Sequence, residues 1–293
     1  MNIKAFYHEQ SSTISYVVFD QIGGKAAVID SALDFDNPSG RVWTEFADKQ
    51  LSFIEENKLE LTYVLETHAH ADHLSAAAYL KFKSGAKIAV GAGIKDVQLT
   101  FKRVFNISDE ELTSDGDVFD ILLEDNDTFA IGKLNARVIN TPGHTNDSVT
   151  FLIEDNAFVG DTLFMPDGGT ARCDFPGGDA RTLFKSISKI HDLPQETKIW
   201  VCHDYQPNGR ELAYETTVAF SRQNNIHVNE TTGIEDYVET RETRDKTLGM
   251  PQLLYPSIQA NIRAGKFPKP DNNEAVYFKV PLDLTAFNKT FLI

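Results

Sequence analysis

The stretch Thr67-His68-Ala69-His70-Ala71-Asp72-His73 carries four metal-binding side chains, and its place in the chain decides the fold. It follows directly on Leu61-Thr62-Tyr63-Val64-Leu65, an apolar run of the kind that forms a buried strand. Imidazole and carboxylate groups suit zinc and iron, and a His-x-His-x-Asp-His run has few uses other than holding a cation. In an extended segment residues two apart point the same way, so His68 and His70 are expected to face one ion together. Asp72 and His73 are expected at the start of a helix over Leu74–Phe82, where the chain turns and approaches from another side.

Outward from this run the same arrangement recurs. Leu134–Ile139 reads as a strand leading into Thr141-Pro142-Gly143-His144. Val149–Ile153 and Ala157–Val159 read as a hairpin across Asp155-Asn156, and its second strand ends at Gly160-Asp161. Lys198–Cys202 reads as a strand ending at His203. Rigid strands that carry such side chains at their ends can bring them together on one sheet edge. His68, His70, Asp72, His73, His144, Asp161 and His203 are therefore the candidate ligands. A metal pair bridged by Asp161 would use all of them, whereas a single metal would use about three and leave positions open for substrate and solvent. His8, His191 and His227 lack such company and read as ordinary structural histidines. Cys202 alternates with His203 on its strand, so it is expected to point away from the metal into packing.

Ile14–Phe19 and Ala26–Ile29 read as strands joined by the turn Gln21-Ile22-Gly23-Gly24, and Lys87–Val90 as a further strand. Val42–Glu56 has helical spacing, with Trp43, Phe46, Leu51 and Ile54 sharing a face; Asp179–Ile190 reads as a helix with Asp179 as its N-cap. Two halves, each of strands followed by helices, predict a layered α/β sandwich. Beyond Tyr205 the pattern turns helical and polar from Glu211 to about Ala264, then ends in the proline-marked Phe267-Pro268-Lys269-Pro270. The expected division is a core over residues 1–205 and a helical C-terminal extension, residues 206–293, packed on it.

The formal net charge is −15 and the positive residues are scattered, which argues against nucleic acid as a partner. It also means that an anionic substrate needs a local cationic anchor. No apolar run approaches the ~20 residues of a membrane span, and Met1–Phe6 has no apolar segment of the signal-peptide kind. Cys173 and Cys202 are too few for a disulfide framework, so a reduced, cytoplasmic setting is expected.

His68-Ala69-His70-Ala71-Asp72-His73, Thr141-Pro142-Gly143-His144-Thr145, Gly160-Asp161-Thr162-Leu163-Phe164 and His203 resemble, in order, the motifs of the metallo-β-lactamase superfamily. That resemblance covers residues 14 to about 205 and implies an αββα sandwich with the metal site at one edge of the sheets. Two thiol-handling branches are similar, glyoxalase II and the persulfide dioxygenases. Gly169-Thr170-Ala171-Arg172-Cys173-Asp174-Phe175, Gly178-Asp179-Ala180-Arg181-Thr182-Leu183, His203-Asp204-Tyr205 and the tail residues Pro251, Asn261 and Phe267–Pro270 resemble the dioxygenases, especially bacterial members called β-lactamase-like hydrolases. The sequence departs from their pattern at Asp167-Gly168-Gly169, where a Cys-Gly pair is usual.

The resemblance implies one Fe(II) held by His68, His144 and Asp161, with His70, Asp72, His73 and His203 around it. It implies glutathione persulfide and O2 as substrates, with sulfite and glutathione as products, in sulfide detoxification. Arg172 and Tyr205 are the residues expected to hold glutathione, and Cys173 reads as packing rather than as a sulfur carrier. Zinc is the metal of the alternative reading, a dinuclear glutathione thioesterase of the glyoxalase II type, and can also be the ion carried on purification. A non-catalytic metal-binding scaffold or sensor is the alternative from another class. The metal, the thiol carrier and a homodimeric state stay open at this point, and a secreted β-lactamase is disfavoured.

Overall fold

The computed structural model describes residues 1–285. The first half of the chain contains strands β1 (Asn2–His8), β2 (Thr13–Phe19), β3 (Lys25–Ile29), β4 (Ala32–Asp36) and β5 (Arg41–Trp43), then helix α1 (Glu45–Glu56). It continues with β6 (Glu60–Glu66), β7 (Leu74–Ser75), α2 (Ala77–Ser84), β8 (Lys87–Gly91), α3 (Ile94–Phe105) and β9 (Ile121–Leu123). The second half runs β10 (Thr128–Ile131), β11 (Leu134–Asn140), β12 (Val149–Ile153), β13 (Asn156–Phe158), α4 (Ala180–His191), β14 (Lys198–Trp200), β15 (Glu215–Thr217) and α5 (Val218–Asn224). Helices α6 (Ile234–Asp245) and α7 (Leu254–Asn261) follow.

These strands form two six-stranded sheets, ordered β1-β2-β3-β6-β8-β9 and β10-β11-β12-β13-β14-β15, with a small sheet β5-β4-β7 beside them. The first sheet is parallel across β3-β6-β8-β9, so its strand ends line up on one edge. Apolar residues divide among three packed clusters. Ile14, Tyr16, Val18, Ile29 and Leu65 of the first sheet meet Phe151, Ile153, Phe158 and Trp200 of the second. The outer face of the first sheet buries Val17, Val28, Val64 and Ile88 against Ala47, Ile54, Leu80, Phe101, Leu254 and Ile258 of its helices. The outer face of the second buries Ala157 and Ile199 against Leu183, Ile187, Ile190, Val218 and Tyr237. The architecture is the expected αββα sandwich, because each sheet is apolar on both faces and each face has a partner. Among the described residues no helix is long and apolar enough to cross a membrane.

Residues after 206 divide between both sides of the sandwich. β15 extends the second sheet, α5 and α6 pack on α4, and α7 packs beside β7. Several expectations are corrected locally. Glu211–Thr217 is not helical, because Thr216 and its neighbours pair with β14 as an edge strand. Val42 and Trp43 belong to β5, and helix α1 begins only at Glu45. Leu74 and Ser75 pair with β4, so the helix after the histidine run begins at Ala77 and not beside Asp72 and His73. β14 ends at Trp200, two residues short of Cys202. The N-cap holds: the Asp179 carboxylate accepts from Thr182 N at 2.7 Å.

Candidate metal centre

β6 delivers the chain to the sheet edge at Glu66, and the following segment is irregular, so its shape is set by side chains from elsewhere. Asp30, just past the end of β3, accepts from Thr67 N at 2.7 Å and from Thr67 Oγ1 at 2.8 Å. Asp147 accepts from Ala69 N at 2.7 Å. From α7, Asn261 Nδ2 donates to the carbonyls of His70 and His73, both at 2.8 Å, while its Oδ1 accepts from Ser75 N at 2.8 Å. Gly160 sits at φ +52°, and a Cβ there would stand 2.5 Å from Thr67 Oγ1, so only glycine lets the Asp161 segment approach this closely. Gly143 likewise presses its backbone to within 2.3 Å of Leu183 N, counted from a would-be Cβ, which seats the His144 turn against α4.

His68, His144 and Asp161 come together as a buried group whose donor atoms lie within 4.8 Å of one another. Asp161 Oδ2 is 3.8 Å from His68 Nε2 and 3.6 Å from His144 Nε2. His68 Nε2 and Asp161 Oδ1 are buried without a hydrogen-bond partner. A buried polar atom left so is costly, about 1–3 kcal/mol, and buried donor atoms this close together fit a cation. The outer ring nitrogens are occupied: His144 Nδ1 lies 2.7 Å from the Arg172 carbonyl, and His68 Nδ1 3.0 Å from Thr67 Oγ1. Those partners fix each ring with Nε2 inward, the arrangement ligating histidines use. The donor set, two imidazoles and one carboxylate, fits iron(II) or zinc.

His70 does not face that point as expected. Its Nε2 lies 3.1 Å from Asp30 Oδ1 and 3.9 Å from Glu66 Oε2. The period-two argument fails because residues 67–73 are not a strand. Burial alone would lower the basicity of His70, but Asp30 and Glu66 outweigh it and raise the pKa to about 10. Burial, together with the charge on Asp30, pushes the Glu66 carboxyl up to about 8. On the other side of Asp161, His203 Nε2 is 3.4 Å from Asp161 Oδ1 and 3.3 Å from Asp72 Oδ2. Both ring nitrogens of His70, His73 Nε2 and Asp72 Oδ2 are also buried without a hydrogen-bond partner, and donor atoms of His70, Asp72 and His73 lie within 4.8 Å of one another.

Cys202 is not turned away as alternation suggested: its sulfur falls within 4.8 Å of donor atoms of His70 and His203. The strand has already ended, and the Cys202 carbonyl accepts from Ile14 N at 2.6 Å, where the two sheets meet. Cys173 is buried, its amide held by Asp245 at 2.8 Å, and burial beside that carboxylate pushes its thiol up to about 12, so it is inert packing.

The centre opens on a cavity of about 480 Å³ walled by Asp72, His144, Asp161, Phe164, Phe175 and Tyr205. The Tyr205 ring stacks on His203, with centroids 5.7 Å apart and planes 3° apart. Arg172 lines the cavity, but its fork is closed on Asp174 at 2.6 and 2.7 Å, a third nitrogen donates to the Gly249 carbonyl at 2.7 Å, and the Phe175 ring covers it. That leaves no free fork for a substrate carboxylate. Arg241 and Arg244 of α6, which the sequence did not single out, also reach this wall. Asp30 was equally missed, although it stands just past a strand end as Asp161 does.

A family model described as the metallo-beta-lactamase superfamily matches residues 10–203. Glyoxylase B2 of Dictyostelium discoideum is 47% identical, over 96% of this chain and 97% of its own. The mitochondrial persulfide dioxygenase ETHE1 of Homo sapiens is 27% identical, over 90% of this chain and 88% of its own. The crystal structure of ETHE1 from Myxococcus xanthus superposes with a TM-score of 0.71 at 28% identity, covering 91% of this chain and 100% of that one. With the sandwich, the strand-end ligands and these matches together, the chain belongs to the metallo-β-lactamase superfamily.

Proposed function

We propose that this chain is an Fe(II)-dependent dioxygenase of a glutathione-type persulfide. The reaction is RSSH + O2 + H2O → RSH + SO3 2− + 2 H+: the terminal sulfur is oxidised by O2, the S–S bond breaks, the thiol leaves with one proton and two protons go to solvent. The observation that carries this reading is the buried group of His68, His144 and Asp161, with His70 Nε2 placed 3.1 Å from Asp30 instead of in that group. A two-histidine, one-carboxylate set is the ligand arrangement of non-haem iron oxygenases. Similarity to persulfide dioxygenases supports it.

Iron(II), when bound, supplies redox chemistry that zinc lacks. The protein's own part is positioning and shielding. His144 is held by the Arg172 carbonyl, and Phe164 and Phe175 give the cavity the apolar wall that suits a sulfur chain and limits water. His203, pinned through Nδ1 to the Ser12 carbonyl at 3.2 Å, steadies Asp161 Oδ1 from the far side.

A second reading, a dinuclear zinc thioesterase, is favoured by the buried unpartnered atoms of His73, Asp72 and His203 beyond Asp161 and by the similarity to glyoxylase B2. The test of the first reading is O2 uptake by anaerobically purified, iron-containing protein on glutathione persulfide, with sulfite as product. Absence of both from iron-loaded protein overturns it.

A further inference from the structure

We infer that Arg210 is a positioning residue of the site: with Asp167 and Asp204 it clasps two loops together and so holds the Phe164–Tyr205 pair at the rim of the metal-facing cavity. Its consequence for substrate binding rests on the dioxygenase reading above; the clasp itself does not.

Two segments supply that rim. Phe164 follows the Asp161 segment and opens a tight turn, in which the Met165 carbonyl accepts from Gly168 N at 2.7 Å and from Gly169 N at 3.0 Å. Tyr205 follows His203 and Asp204 beyond the end of β14. Both rings line the cavity, and they meet edge to face with centroids 5.8 Å apart and planes at 88°. Tyr205 is 60% exposed, so its ring keeps this place only if its backbone is fixed. Secondary structure does not fix it, because residues 204–214 form no strand or α-helix. Gln206 and Asn208 sit at φ +46° and +59°, a conformation that such side chains hold only where the surroundings impose it.

Arg210 imposes it. A guanidinium has five N–H donors, and here they make five hydrogen bonds. Nε and Nη2 donate to the two Asp167 oxygens at 2.6 and 2.9 Å, Nη1 and Nη2 to the two Asp204 oxygens at 2.7 Å each, and Nη1 to the Glu211 carbonyl at 2.9 Å. Asp204 also accepts from Gln206 N at 3.2 Å and from Ala213 N at 2.8 Å. The residue between His203 and Tyr205 is therefore tied to its own loop, and Arg210 carries the tie across to Asp167, in the turn that Phe164 opens. Asp167 belongs to the Asp167-Gly168-Gly169 stretch where the sequence departs from the dioxygenase pattern.

The clasp has two unequal halves. The Asp204 side chain is 2% exposed, so removing Arg210 leaves a buried carboxylate without its cation and unsettles the fold. The Asp167 side chain is 45% exposed, and a pair so open adds little to stability. Breaking only the outer half therefore separates positioning from folding.

The experiment uses the whole chain labelled with 3-fluorotyrosine, the Tyr205 fluorine resonance being assigned by its loss in Tyr205→Phe. Asp167→Asn and Asp167→Glu are compared with wild type, and Arg210→Gln is the complete break. Asp167→Asn should shift or broaden the Tyr205 resonance, leave those of the buried Tyr16 and Tyr237 in place, and keep Tm within about 3 °C, as for a weak surface pair. KM for glutathione persulfide in O2 uptake should rise about 3- to 10-fold at unaltered kcat and iron content, the range for one or two ordinary hydrogen bonds. Asp167→Glu, which keeps the charge, should recover part of both effects, and Arg210→Gln should displace the resonance further with a clear fall in Tm. An unmoved Tyr205 resonance in Asp167→Asn overturns the clasp, and so do shifts spread over all the tyrosines with a large fall in Tm, which would make Asp167 a folding residue. A moved resonance with unaltered KM leaves the clasp and removes its bearing on substrate. The resonance needs no turnover, so absence of O2 uptake by wild type removes the dioxygenase reading and leaves the clasp to be decided by the fluorine signal.

Discussion

His70 Nε2 lies 3.1 Å from Asp30 Oδ1, so the second histidine of the motif is turned toward a buried carboxylate and stands outside the group that His68, His144 and Asp161 form. His70→Gln should therefore keep its metal, measured by elemental analysis after desalting, while losing stability. Removing one member of a buried charge pair costs about 3–5 kcal/mol. Loss of metal in a folded His70→Gln protein would return His70 to the ligand set and favour a metal pair.

His68→Ala, His144→Ala and Asp161→Ala should each lose both bound metal and activity, because each removes one of three donors around the same point. Circular dichroism and elemental analysis on the same samples check this. Full occupancy in any folded variant removes that residue from the centre.

Asn261 holds the metal loop by its backbone, with two bonds given and one received. Asn261→Asp keeps the acceptor for Ser75 N and turns the two donors into an oxygen facing the carbonyls of His70 and His73. Stability should fall by about 2–4 kcal/mol, and metal affinity by about tenfold or more, as for other groups that orient ligands indirectly. A competition titration with a chelator reads the second quantity; unaltered affinity would reduce Asn261 to a packing role.

Two histidines far from the motif set an acid limit on stability. Burial, with Arg222 nearby, lowers His191 from 6.5 to about 4, and burial with Arg241 and Arg244 does the same to His227. The unfolded chain binds these protons more readily, so their contribution is complete above pH 6.5 and is lost as pH falls toward 4. Thermal melts of His191→Gln against wild type should show a shallower decline of Tm over that window. Parallel curves would mean His191 titrates normally.

The sandwich and the converging centre were legible because both follow from local rules. Apolar runs ended by His144, Asp161 and His203 mark strand ends, and strand ends of one sheet share an edge. What was not legible depends on the third dimension. The side-chain direction of His70 is set by Asp30, 40 residues earlier, and the direction of Cys202 by a strand that stops at Trp200. Arg172 looks like a substrate anchor until Asp174 and Gly249 are seen to fill its fork. Arg241 and Arg244 became visible only when α6 was placed at the cavity. Trp43 matched a helical face, but pairing with β4 took it first.

The central claim is that the centre works with one redox-active metal. Zinc binds nitrogen and oxygen ligands more tightly than Fe(II), so protein made in ordinary medium can carry the inactive ion. One preparation, stripped of metal, divided and reloaded with Fe(II) or zinc, decides the matter. The iron form should consume O2 on glutathione persulfide and release sulfite, the zinc form should not, and neither should hydrolyse S-lactoylglutathione efficiently. Efficient hydrolysis of S-lactoylglutathione by the zinc form, with no O2 uptake by the iron form, would contradict the account.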